Sequence, residues 1–134
     1  MLLTRRYRFA ASHRLNTPAM SPEDNARLYG KCNNPFGHGH DYVLDVTVEG
    51  KPDKAGQIVH RDQLDALVNQ QVLTRLDHRN LNTDVPELAG DVTTTENLAI
   101  AIRQLLEREW HLPARLARVR VSETARNTFE LEIQ

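Results

Sequence analysis

The run GKCNNPFGHGHDYVLDVTV, Gly30–Val48, changes character at its middle. Up to Gly37 it is rich in Asn, Pro and Gly, residues that set turns and loops. Beyond that point Tyr42, Leu44, Val46 and Val48 share one parity, while Asp41, Asp45, Thr47 and Glu49 share the other. A period of two is the signature of a strand with one buried face. A strand is therefore predicted from about His38 to Val48, and His38 and His40 open it on the apolar parity.

Upstream, Leu2–His13 also reads as a strand. Arg5, Tyr7, Phe9, Ala11 and His13 share one parity, and Phe9 with Ala11 makes that the inner face near its end. Asn16–Asn34, dense in Pro, Asn, Ser, Gly and charge, is expected to be a long loop of the kind that often carries function. Downstream, after the turn GKPDKAGQ, a helix is predicted from Arg61 to about Arg75, with Leu64, Leu67, Val68 and Val72 on one face. The loop Asp77–Asp91 follows. Thr93 and Glu96 have capping-box spacing ahead of a second helix, whose apolar stripe is Leu98, Ile102, Leu105 and Trp110. The chain ends in a predicted hairpin, Val119 and Val121 before a turn at Ala125–Asn127, and Phe129, Leu131 and Ile133 after it. Strand-strand-helix-helix-strand-strand implies an α+β fold, a roughly four-stranded antiparallel sheet with two helices on one face. The edges of such a sheet need pairing or protection, so association through them is expected.

Nothing divides the 134 residues, which are expected to form a single domain, 1–134. Lys and Arg number 17 against 18 Asp and Glu, so the basic excess of a nucleic-acid binder is missing. A single cysteine, Cys32, excludes an intrachain disulfide. MLLTRRYRF holds no apolar run long enough for a signal peptide, and no stretch approaches a membrane span of about 20 apolar residues. A cytoplasmic protein without a membrane or nucleic-acid partner is expected.

The chemistry concentrates around the histidines. In an extended segment His38 and His40 point the same way with Cα atoms ~6–7 Å apart, close enough for two imidazoles to share one ion. His13, at the end of the first strand, can supply a third nitrogen if the strands pair. Three histidines and an open position make a catalytic zinc arrangement, although HGH can also be a plain polar strand start and His13 a satisfied core histidine. Cys32 can be a fourth ligand that closes the site, a base or nucleophile beside the ion, or a small buried apolar residue. Asp77-His78 offers an acid–base couple if a loop lets them meet, or a helix C-terminal cap if not. Glu123 continues the inward parity of Val119 and Val121. A carboxylate there needs donors, such as the paired N–H groups of a 2-amino-pyrimidinone, unless the strand end frays into solvent.

The stretches FAASH (Phe9–His13), GKCNNPFGHGH (Gly30–His40), LDHRNLN (Leu76–Asn82), TTTENLA (Thr93–Ala99) and VSET (Val121–Thr124), in this order and spacing, resemble the 6-pyruvoyl-tetrahydropterin synthases. Ala10 stands where that family usually has Ser. The resemblance implies a tunnelling fold whose subunits join sheet edges into a β-barrel, commonly a homo-hexamer of two trimers. It further implies zinc on His13, His38 and His40. Proton transfer falls to Cys32, Asp77 and His78, the last two from a neighbouring subunit. Glu123 becomes the pterin anchor, and Thr94, Thr95 and Glu96 line its pocket. The implied activity is a lyase that converts 7,8-dihydroneopterin triphosphate to 6-pyruvoyl-tetrahydropterin and triphosphate, without a nicotinamide cofactor, in tetrahydrobiopterin biosynthesis. The related 6-carboxy-tetrahydropterin synthases of queuosine biosynthesis also release acetaldehyde, and the spacing from Cys32 to His38 does not separate the two. A GTP cyclohydrolase-like hydrolase and a non-catalytic module with a closed Cys-His-His-His zinc site are the remaining alternatives.

Overall fold

A computed structural model describes residues 1–134. Strands β1 (Leu2–His13) and β2 (His38–Glu49) pair antiparallel along their whole length, Leu2 opposite Glu49 and His13 opposite His38. The register sets Phe9 opposite Tyr42, their rings stacked at 5.0 Å, and Ala11 opposite His40. Odd residues of β1 and even residues of β2 therefore share the inner face, as the alternation predicts.

The segment Asn16–Asn34, expected as a loop, holds helix α1 (Pro22–Tyr29) and a 3-10 turn, Gly30–Asn33. The helix is defined by its ends rather than by a stripe. Ser21 Oγ accepts from the Asp24 N–H at 3.1 Å, Pro22 occupies the first turn, and Gly30 closes the end with φ +55°. Its one buried side chain is polar. The Asn25 amide donates to the Thr17, Met20 and Ser21 carbonyls and its oxygen accepts from the Thr17 N–H, so the side chain ties down the loop before it.

Helix α2 (Arg61–Val68) runs through a widened turn, Asn69–Leu73, into α3 (Thr74–Leu76). Val68, Val72 and Leu76 stay wholly buried throughout. The chain then touches β1 as β3 (Arg79–Asn80), a two-residue parallel strand. Helix α4 (Thr95–Arg108) buries Leu98, Ile102, Leu105 and Leu106. Its cap is Thr94, whose hydroxyl accepts from the Asn97 N–H at 3.3 Å, and not Thr93. Thr93 is buried beside His13 instead, and the Asn97 amide bonds the Val92 carbonyl, which leaves Glu96 exposed and no capping box. Trp110 lies past the helix end, where its indole N–H donates to the Ala114 carbonyl at 2.9 Å. Strands β4 (Arg115–Ser122) and β5 (Thr128–Glu132) form the hairpin.

The sheet has five strands in the order β3-β1-β2-β4-β5 and is not closed. Its fifth strand, β3, has no sequence signal because main-chain bonds to β1 and not its side chains make it. Helices α2 and α4 cover the inner face, and one core of 26 residues lies between. Each buried Leu or Val there contributes about 1.5–3 kcal/mol of transfer free energy. The opposite face is a lattice of polar pairs. Asp45 and Thr47, of the expected outward parity, are nevertheless buried. The Arg6 guanidinium bonds both Asp45 oxygens at 2.9 and 3.1 Å, the Thr4 and Thr47 hydroxyls meet at 2.7 Å, and Arg118 bonds Glu132 across β4 and β5.

Asp65 on α2 accepts from Arg5 Nε and Nη2 and from the Tyr7 hydroxyl, tying helix to sheet. The Arg5 hydrogen bond holds the Asp65 carboxyl below its ordinary pKa, against the opposing effect of burial. The stabilisation is therefore present above the unfolded-state value of about 3.9 and is lost as pH falls through the lower folded value. Asp65→Asn is expected to lower Tm by a few degrees at pH 7, with the difference from wild type shrinking toward pH 3 in melts across that range.

Candidate metal centre and its surroundings

His13 ends β1 almost wholly buried, and its Nδ1 lies 2.8 Å from the Thr93 carbonyl. A carbonyl only accepts, so Nδ1 carries the proton and Nε2 presents a lone pair. That Nε2 has no hydrogen-bond partner, nor has His40 Nε2. The pairing of β1 with β2 brings the rings together, with centroids 4.4 Å apart for His38 and His40, 5.0 Å for His13 and His40, and 5.5 Å for His13 and His38. Burial pushes the pKa of His13 and of His40 down, so both favour the neutral imidazole that a metal requires.

Cys32 reaches this group from the 3-10 turn. The Leu15 N–H donates to the Cys32 carbonyl at 2.6 Å, Arg14 Nε donates to the Asn33 carbonyl at 3.0 Å, and Asn33 Nδ2 donates to the Leu15 carbonyl at 2.7 Å. Sγ then lies 3.0 Å from His38 Nε2. One donor atom from each of His13, Cys32, His38 and His40 falls within 4.8 Å of the others. Orphaned, buried imidazole nitrogens and a nitrogen–sulfur donor set fit a zinc ion. Burial first and the Glu123 charge second push the Cys32 thiol pKa up in the chain alone, whereas a neighbouring cation acts in the opposite direction.

Glu123, one residue past β4, turns inward as its parity predicts. Oε1 comes within 2.8 Å of His40 Nε2, off the hydrogen-bonding direction, and within 4.0 Å of His13 Nε2. Oε2 accepts from Thr95 Oγ1 at 2.6 Å. Of the three residues expected to line a pocket at the start of α4, Thr95 thus meets Glu123, Thr94 caps the helix, and Glu96 stays exposed and apart.

Asp77 and His78 lie outside this cluster. They leave α3 in a loop, and His78 takes φ +60°. Asp77 Oδ1 accepts from the Ala10 N–H at 2.9 Å and the His78 N–H donates to the Ala10 carbonyl at 2.6 Å, so the pair extends the free edge of β1. The His78 side chain is 82% exposed, its Nε2 is 3.6 Å from Asp77 Oδ2, and it lines a cleft with Ser12, Gly39, Asp41 and Arg79.

A family profile described as 6-pyruvoyl tetrahydropterin synthase matches residues 2–134. The chain belongs to the 6-pyruvoyl tetrahydropterin synthase family. It is 43% identical over 127 residues to the 6-pyruvoyl tetrahydrobiopterin synthase of Poecilia reticulata, covering 93% of this chain and 85% of that protein. It is 44% identical over 126 residues to the Homo sapiens 6-pyruvoyl tetrahydrobiopterin synthase, covering 93% and 86%. The solved structure of Caenorhabditis elegans 6-pyruvoyl tetrahydropterin synthase superposes with a TM-score of 0.93 at 35% identity, covering 100% of this chain and 96% of that one.

Three residues around the cluster escaped the sequence reading of this family member. The Thr93 carbonyl fixes the His13 tautomer, and a main-chain atom leaves no mark in the sequence. Asn82 grips the chain next to His13, accepting from the Arg14 N–H at 2.7 Å and donating to the Arg14 carbonyl at 2.9 Å. Tyr42 did have a signal, since it continues the parity of His38 and His40. Gly37 is fixed by geometry. Its φ is +71°, and a Cβ there would lie 2.8 Å from the His13 carbonyl oxygen. Gly37→Ala is expected to cost about 1–3 kcal/mol and to displace His38 from His13. Thermal melts with zinc analysis check this, and the expected result is a lower Tm together with less than one zinc per chain.

Proposed function

We propose that residues 1–134 act as one domain, a zinc-dependent lyase that converts 7,8-dihydroneopterin triphosphate to 6-pyruvoyl-tetrahydropterin with release of triphosphate. The observation that carries this is the meeting of unpartnered His13 and His40 nitrogens, His38 and the Cys32 thiol with the inward carboxylate of Glu123. The names of the relatives supply the substrate class.

His13, His38 and His40 would hold the ion, and zinc bound there supplies Lewis acidity toward the hydroxyls of the substrate side chain. Glu123 accepts the paired N–H groups of the pyrimidinone edge, and Thr95 orients its carboxylate. Cys32, as thiolate, removes a proton from the side chain. Triphosphate leaves by elimination, and the electrons it leaves behind reduce the pyrazine ring by tautomerisation, so atoms and electrons balance without a nicotinamide. Asp77 and His78 carry protons at the same site from a neighbouring copy. Copies join through the open edges of β1 and β5 into the barrel of a homo-hexamer.

The test is to incubate zinc-loaded protein with 7,8-dihydroneopterin triphosphate and assay triphosphate, acetaldehyde and the pterin together. Triphosphate without acetaldehyde is the expected result. Acetaldehyde with a 6-carboxy pterin would assign the carboxy-synthase activity instead. Folded, zinc-bound protein that forms neither product would overturn the substrate.

A further inference from the structure

Tyr42 is wholly buried, and its hydroxyl has no hydrogen-bond partner. Buried hydroxyls are nearly always satisfied, so an orphan inside a core calls for a reason. Its surroundings supply one. Phe9 stacks on one side of the ring and fixes it, and His40 and His13 meet it edge-on at 5.6 and 6.4 Å. On the other side the ladder of β2 with β4 ends at Val43 opposite Ser122. One further step along both strands sets Tyr42 across from Glu123 on the inner face, where directly opposed side chains interact.

Glu123 has one settled oxygen and one unsettled. Oε2 takes the Thr95 hydroxyl, while Oε1 rests against His40 Nε2 without hydrogen-bond geometry. A lone-pair nitrogen offers Oε1 nothing, and when His13 and His40 serve as ligands their Nε2 atoms are committed elsewhere. Oε1 therefore lacks a donor on the histidine side, and the donor across the strand lacks an acceptor. We infer that the Tyr42 hydroxyl is a positioning group for Glu123, donating to its carboxylate when the site holds a pterin. The inference rests on the proposed pterin site.

The consequence is an opposition between stability and binding. A hydroxyl unpaired in the free protein adds nothing to folding, so Tyr42→Phe should melt at or above the wild-type temperature and keep its zinc. With neopterin as a fluorescent, non-reacting probe of the zinc-loaded oligomer, Tyr42→Phe should raise Kd about tenfold, the usual effect of losing a hydrogen bond to a charged group. In a double-mutant cycle with Glu123→Gln, the two losses should not add, because both remove one interaction. A merely structural tyrosine would move Tm and leave the cycle additive. Tyr42→Phe that binds neopterin like wild type, loses stability without ligand, or adds fully to Glu123→Gln overturns the inference. Wild-type protein that binds zinc but no neopterin overturns the pterin site as well.

Discussion

Cys32→Ala is expected to keep its zinc and its melting temperature while losing turnover of 7,8-dihydroneopterin triphosphate by about 10²–10⁴-fold, the range for removal of a general base. The histidine side of the cluster is built without the sulfur. His13 is fixed by the Thr93 carbonyl, and His38 and His40 by the β1–β2 register. The turn bearing Cys32 is held by the main chain of Arg14 and Leu15 and by Asn33, none of which the substitution touches. Three imidazoles therefore remain to hold the ion. The closed four-ligand alternative gives the opposite result, because a structural zinc carries folding free energy and removing a ligand should release the metal and lower the melting point. Zinc content, Tm and triphosphate release on one preparation separate the two. Loss of zinc from Cys32→Ala would remove Cys32 from the role of base.

The parts of this molecule that were legible in its sequence are those built from side-chain periodicity. β1 and β2 alternate with a period of two, and the same alternation put His13, His38 and His40 on the apolar parity and turned Glu123 inward. Helix α1 was hidden because it has no apolar stripe. Ser21, Pro22 and Gly30 mark its ends, but its buried residue is Asn25, which satisfies backbone carbonyls instead of joining the core. The misplaced cap has a similar cause. Thr93 and Thr94 are equally good caps by type, and the choice between them was made by His13, which needs the Thr93 carbonyl. Strand β3 and the Thr93–His13 bond are main-chain interactions, and no side-chain pattern encodes them. The side of the sheet to which Asp77 and His78 belong depends on where the chain crosses β1, a tertiary fact that spacing does not contain.

That crossing leads to the second large effect. Within one chain Asp77 and His78 sit at the β1 edge, bonded to Ala10 and away from Cys32, so a single copy does not assemble the three groups. If edge-to-edge association brings His78 of one copy to Cys32 of the next, Cys32→Ala and His78→Ala are each nearly inactive but have complementary defects. Unfolding and refolding them together as a 1:1 mixture should restore activity. A site needs Cys32 from a His78→Ala chain and His78 from a Cys32→Ala chain, so with random assortment about a quarter of sites regain both. Activity should thus rise from a 10²-fold or greater deficit to roughly a quarter of wild type, only after subunits exchange and only with both variants present. Mixing without exchange serves as the control, since intact oligomers keep their defects. Recovery would establish that the site spans two copies of the chain. A co-refolded mixture no more active than its components, with wild-type protein regaining activity under the same treatment, would put Cys32 and His78 in separate sites and take Asp77 with His78 out of the proton path.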